Sequence, residues 1–280
     1  MAVILITDSG CDLNMEQAQE LGVSLVPMTV HFGGEEFRSG VNLTNEEFYN
    51  KLVASKELPT TSQPTPFDFG QVFQQVKANG DEAVVLCVSS VLSGTYQSAV
   101  IAADDYEDCV HVVDTYSVSV GQRILLEYAL RLRDAGMDAQ QIARVLEEKK
   151  NDVYVCGAVE TLEYLIKGGR LSKAAGTVGS MLGIRPVLKM QEGALAVAGK
   201  ARGPKAAMNM TLELIKTTGV DHAMPFGVGY TGNDPIIAKN FLETVGCEFP
   251  HEVTPVYQVG STAGTHAGPG LCLAAFFRKT

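Results

Sequence analysis

Ser89-Ser90-Val91-Leu92-Ser93-Gly94-Thr95-Tyr96-Gln97-Ser98 is the stretch that settles how the chain is read. Before it, Ala83-Val84-Val85-Leu86-Cys87-Val88 is an apolar run of strand length. After it, Ala99-Val100-Ile101-Ala102-Ala103 reads as helix. A hydroxyl-rich loop therefore sits where a buried strand hands over to a helix. Such a junction aims free backbone N–H groups and the positive helix end at one spot. Ser93 and Thr95 add hydroxyls, and Gly94 lets an anion approach the backbone. Two readings stay open: a site for a carboxylate or phosphate, or an ordinary helix cap with spare serines.

The flanking chain repeats the pattern. Val3 to Thr7 reads as a buried strand ending in Asp8-Ser9-Gly10-Cys11-Asp12, followed by a helix from about residue 14 to 21. Ser24 to Val30 reads as a second strand, and Gly33-Gly34 as a turn. Thr44-x-x-Glu47 is a capping box for a helix to about residue 56. Leu58 to Pro66 is too proline-rich for helix or central strand and is expected as an extended loop. Pro66 suits the first turn of a helix from 67 to 78. Val110 to Val113 is a further strand, ending in Asp114-Thr115. Helices over 121–135 and 138–150 and a strand over 153–159 follow. Alternating strand and helix signals a parallel α/β sheet, whose ligands bind beyond the strands' carboxyl ends. Asp8-Ser9, the Ser93 loop and Asp114-Thr115 are all expected there, as parts of one polar site.

The second half is less regular. A helix from Thr161 is broken at Gly168-Gly169-Arg170, and a small-residue helix is expected to run to Leu182. Residues 186–198 read as a hairpin about Gln191-Glu192-Gly193. Pro204 to Thr217 reads as helix. Phe226 to Tyr230, Glu252 to Val259 and Leu271 to Phe277 read as strands. The expectation is a mixed α/β second half.

Composition narrows the classes. The 280 residues are 46% hydrophobic, too apolar for disorder. Twenty-two basic residues against 32 acidic give a net charge of −10, which argues against a nucleic-acid partner. No apolar run reaches the roughly 18 residues of a bilayer span, and Met1 to Ile6 lacks a basic leader region. A cytoplasmic protein is expected. The six cysteines form no C-x-x-C, and the histidines show no metal-ligand spacing, so no disulfide framework, metal or cofactor is expected.

Some residues invite chemistry. Gly227-x-Gly229-x-x-Gly232 matches a dinucleotide string but lies outside the first strand–helix unit. His266, in Thr265-His266-Ala267-Gly268-Pro269-Gly270, reads either as an exposed, positioned imidazole in a turn or as a loop histidine with no task. Arg170 reads as an anion contact or as a solvated surface arginine. Lys200, Arg202 and Lys205 read as a solvated helix start or as a docking patch. Ser93 with His266 also allows a second class, a hydrolase or acyltransferase acting on a small acid.

Six segments taken in order resemble the DegV family, which includes the fatty-acid-binding subunits of bacterial fatty acid kinase. They are Ile6-Thr7-Asp8-Ser9-x-x-Asp12, Thr60-Thr61-Ser62-Gln63-Pro64, the Ser89–Ser98 stretch, Asp114-Thr115, Gly168-Gly169-Arg170-Leu171-Ser172 and His266-x-Gly268-Pro269-Gly270. The resemblance implies an N-terminal parallel-sheet α/β/α domain (1–155) and a C-terminal mixed-sheet α/β domain (156–280). It implies a non-enzymatic carrier holding a long-chain fatty acid such as palmitate in a tunnel. Carried over, the carboxylate ligands are Thr61, Ser62, Ser93 with the Gly94 backbone, and His266. A separate ATP-dependent kinase would phosphorylate the acid, with Arg170 near the phosphoryl-transfer site. Lys200, Arg202 and Lys205 would face that kinase, and contact with a membrane surface would be transient.

Overall fold

The computed structural model describes residues 1–172, 183–250 and 253–279. The chain begins with β1 (Val3–Asp8), α1 (Met15–Glu20) and β2 (Val23–Val26). β3 (Thr29–Phe32), β4 (Glu35–Arg38), α2 (Asn45–Ala54) and β5 (Thr60–Ser62) follow. Next come α3 (Pro66–Asn79), β6 (Glu82–Cys87), α4 (Thr95–Ala103), β7 (Val110–Asp114), α5 (Val120–Asp134) and α6 (Ala139–Lys149). Asn14, Thr44, Thr65 and Asp138 each close a capping box, so α1, α2, α3 and α6 start where side chains replace missing helix bonds.

The second half contains β8 (Val153–Ala158), α7 (Glu163–Lys167), β9 (Ile184–Gln191), β10 (Ala194–Arg202) and α8 (Pro204–Thr218). It ends with β11 (Phe226–Tyr230), α9 (Ile236–Val245), β12 (Val256–Gln258), α10 (Ser261–Ala267) and β13 (Cys272–Phe277). β9 and β10 form the expected hairpin. Glu192 and Gly193 both take positive φ (50° and 76°), the geometry of its two-residue turn.

Three sheets result. β2-β1-β6-β7 is parallel throughout, β10-β9-β8-β13-β11-β12 is mixed, and β4-β3-β5 is antiparallel. α5 lies between the first two. Its buried Ile124, Leu125 and Leu126 join one apolar cluster that includes Leu86 and Val113 on one side and Val155 and Leu273 on the other. Residue 155 falls inside β8; the division of the chain at 155/156 stands as a proposal.

Several expectations are corrected. The single strand over 24–30 is two strands in different sheets, broken where Pro27 supplies no N–H. Residues 60–62 are not loop but β5, an edge strand, because the prolines at 59 and 64 flank the segment rather than interrupt it. His266 lies in the last turn of α10, not in the Gly-Pro-Gly turn that follows. Strand β12 covers only 256–258 of the expected 252–259. The expected helix to Leu182 lies outside the described residues.

Candidate functional site

Between the parallel and mixed sheets lies a pocket whose empty space, open solvent at its mouth included, is about 890 Å³. Thr61, Ser93, Arg170 and His266 all line it, although they come from β5, the β6–α4 loop, the segment after α7 and α10. Most of the remaining wall is apolar, with Leu92, Val155, Leu188, Met190, Leu195 and Leu273 among its residues. Leu188 and Leu273 flank Gly157 in the mixed sheet. β8 runs from Val155 toward Val159, and α10 feeds β13 through Leu271.

The polar end is a connected set. Thr61 Oγ1 lies 2.8 Å from His266 Nε2. Arg170 donates through Nε to the Leu92 carbonyl (3.0 Å) and through Nη1 to the Gly168 carbonyl (2.7 Å), bracing the residue that precedes Ser93. Ser93 Oγ pairs with Thr95 Oγ1 at 2.8 Å. Among the described residues no carboxylate reaches ion-pair range of Arg170, and burial holds its pKa below the usual arginine range. Burial first, and the nearby Arg170 charge second, push the His266 pKa down to about 4. The imidazole is therefore neutral near pH 7. Its Nδ1 is buried without a hydrogen-bond partner and faces Gly168, where a Cβ would come within 2.3 Å. We assign the ring proton to Nε2, since an N–H at Nδ1 would be an unpaired buried donor. Nε2–H then donates to Thr61, leaving the threonine hydroxyl proton free for a ligand oxygen.

Not every expected residue joins this set. Side chains alternate across a strand, so Ser62 points opposite to Thr61, and its Oγ lies 2.7 Å from His31 Nε2. Gly94 does not offer its open side to the cavity. The amide of Gln63 fills that space, with Oε1 2.2 Å from where a Cβ would sit. Asp8 and Asp114 are turned into the loops rather than toward a ligand. Asp8 accepts from the Gly10 and Val88 N–H groups, both at 2.7 Å, and burial lifts its pKa to about 6. Asp114 accepts from the N–H groups of Ser90 (3.2 Å) and Tyr116 (3.0 Å). The strand ends thus hold loops together instead of forming one polar site.

The nucleophile–base reading finds no hydrogen bond between its two residues here: Ser93 Oγ pairs with Thr95 Oγ1, and His266 Nε2 with Thr61 Oγ1. Two glycines of the dinucleotide string serve packing, while Gly232, with open space beside it, takes a positive φ of 102°. Gly227 faces the Tyr257 ring, and Gly229 meets Val120 and Leu273. Lys200, Arg202 and Lys205 are exposed on the edge strand β10 and the first turn of α8, and none lines the cavity.

Sequence reasoning missed Ser119, Thr262 and Asp12. Ser119 and Thr262 line the cavity. Asp12 accepts a hydrogen bond from the Ser119 hydroxyl and another from the Gly260 N–H (2.8 Å), tying the start of α5 to the start of α10. Burial lifts its pKa to about 7. Asp12 carried a signal in the Asp8-Ser9-x-x-Asp12 string. Ser119 and Thr262 carried none, because their roles depend on folding alone.

A parallel-sheet α/β half joined to a mixed-sheet half, with a small antiparallel sheet beside them and a largely apolar cavity that Thr61, Ser93, Arg170 and His266 help to line, defines an α/β protein of three sheets. The chain belongs to the DegV family: the pattern described as "Uncharacterised protein, DegV family" matches residues 2–279. A DegV domain-containing protein of Caldanaerobacter subterraneus is 32% identical over 99% of both chains. The solved structure of a fatty-acid-binding DegV family protein from Thermus thermophilus is 32% identical. It covers 99% of this chain and 100% of its own, with a TM-score of 0.88. A stearic-acid-binding protein from Eubacterium ventriosum is 26% identical, covering 98% of this chain and 97% of its own, with a TM-score of 0.83. Among the described residues no helix is long and apolar enough to cross a membrane.

Proposed function

We propose that the protein holds one long-chain fatty acid in this cavity and presents its carboxylate to a separate ATP-dependent kinase. The observation that carries the reading is the make-up of the wall: Thr61, hydrogen-bonded to His266, and Ser93, whose loop Arg170 braces, line a cavity that is otherwise largely apolar. A buried carboxylate is costly unless several donors meet it. The hydroxyls of Thr61 and Ser93 are such donors, and His266 orients the first of them. Each tail methylene removed from water adds about 0.8 kcal/mol. The Thermus and Eubacterium relatives bind fatty acids, which supports the same guest here.

The chain supplies no nucleophile in this reading. The bound carboxylate attacks the terminal phosphorus of the kinase's ATP, giving an acyl-phosphate and releasing ADP. Arg170, half-buried beside the Ser93 loop, would face the developing phosphoryl charge. Lys200, Arg202 and Lys205 form the proposed kinase-facing surface. Mass spectrometry of the purified protein tests the core of this reading. Denaturation should release an intact long-chain acid and leave the chain at its unmodified mass. A retained acyl mass would instead indicate an acyl-enzyme.

A further inference from the structure

Of Thr60-Thr61-Ser62-Gln63-Pro64, the cavity takes only Thr61. Gln63 lies two residues further along a chain that Pro64 keeps extended, so it leaves on the same side as Thr61. Its Nε2 donates to the Gly94 carbonyl (3.1 Å) and to Ser98 Oγ (2.8 Å). The same carbonyl accepts the Ser98 N–H at 3.0 Å, so the amide is fixed to the first turn of α4. It sits in the space that a side chain at position 94 would take: a Cβ there would come 2.2 Å from Oε1 and 2.7 Å from Nε2. Ser93, which lines the cavity, is the residue before Gly94.

We infer that Gln63 is a positioning residue of the head-group site, locking the Ser93 loop to the Thr61 strand so that both hydroxyls meet one carboxylate. Gln63 does not touch the guest. It fixes the spacing of two donors that arrive on separate elements, which is why position 94 is glycine. The inference rests on the head-group reading given under Proposed function.

The test measures affinities of the full chain for palmitic acid and for the alcohol of equal length, by displacement of a fluorescent fatty-acid probe. Wild type should prefer the acid. Gln63→Leu keeps the bulk and loses the donors. Gly94→Ala keeps Gln63 but drives its amide away. Each should bind the acid about tenfold more weakly, the loss expected for hydrogen bonds to a charged group. Each should bind the alcohol as wild type does. The double variant should be no worse than either single one, because both remove the same contact. Unchanged acid preference in Gln63→Leu, or an equal loss for acid and alcohol, would overturn the inference. If Gln63→Leu fails to fold, Gly94→Ala decides by the same criteria. A wild-type protein without acid preference would overturn the head-group reading, and this inference with it.

Discussion

His266 shows how burial, helped by a neighbouring charge, sets a side chain's protonation state. Held near a pKa of about 4, below the ordinary 6.5, it binds fewer protons folded than unfolded between those values. Its contribution to stability is complete above pH 6.5 and is lost as the pH falls toward 4. Asp8 and Asp12 act with the opposite sign. Raised from 3.8 to about 6 and about 7, they contribute fully below 3.8 and lose that contribution as the pH rises through their folded values. Comparing wild type with His266→Gln by urea unfolding isolates the histidine. The stability of wild type relative to the variant should fall between pH 6.5 and 4; a constant gap would contradict the assignment. Ser93→Ala should weaken fatty-acid binding by about 1–3 kcal/mol, measured by calorimetry. Ser93 was readable because it stands at a strand–helix junction. Gln63 was quoted as part of a motif without a task, since only the fold shows its amide against Gly94.

At the scale of the element, β5 decides which hydroxyls serve the site. Its alternation sends Thr61 to His266 and Ser62 to His31. Thr61→Ala should therefore cost binding about 1–3 kcal/mol. Ser62→Ala should stay within about 0.5 kcal/mol of wild type, as a surface change does. Equal losses on titration with palmitic acid would place Ser62 at the cavity after all. β1 and β6 were readable as apolar runs, because a central parallel strand is buried on both faces, and β7, at the sheet's edge, by its valines. β5 was not, being three hydroxyl residues at a sheet edge, and β3 was merged with the strand before it. α10 was hidden by the glycines at 260, 264, 268 and 270 in and around it, which imitate a turn. Gly264 instead lets the helix lie against Phe48 and Tyr49, where a Cβ would come within 2.7 and 2.8 Å. Tertiary packing overrides the local signal there.

For the whole molecule, α5 is the shared core of both large sheets. Ile124 is fully buried in it, so Ile124→Ala should cost about 2–5 kcal/mol. Scanning calorimetry should show one transition moving as a unit; a second transition left in place would contradict a shared core. The basic edge at Lys200, Arg202 and Lys205 is proposed to steer encounter with the kinase. Arg202→Ala should slow association and flatten its salt dependence without changing fatty-acid occupancy. Surface plasmon resonance across a salt series reads this out, and wild-type rates at every salt concentration would refute it. Arg170→Ala should keep the bound acid and lose acyl-phosphate formation; equal loss of both would contradict the separate tasks. The orientation of the guest joins these scales, and a crystal structure with a terminally brominated palmitic acid determines it. The carboxylate should lie within hydrogen-bond reach of Thr61 Oγ1 and Ser93 Oγ, with the bromine's anomalous signal among the apolar lining residues and away from His266. Bromine at the His266 end, or a carboxylate out of reach of both hydroxyls, would contradict the proposed site.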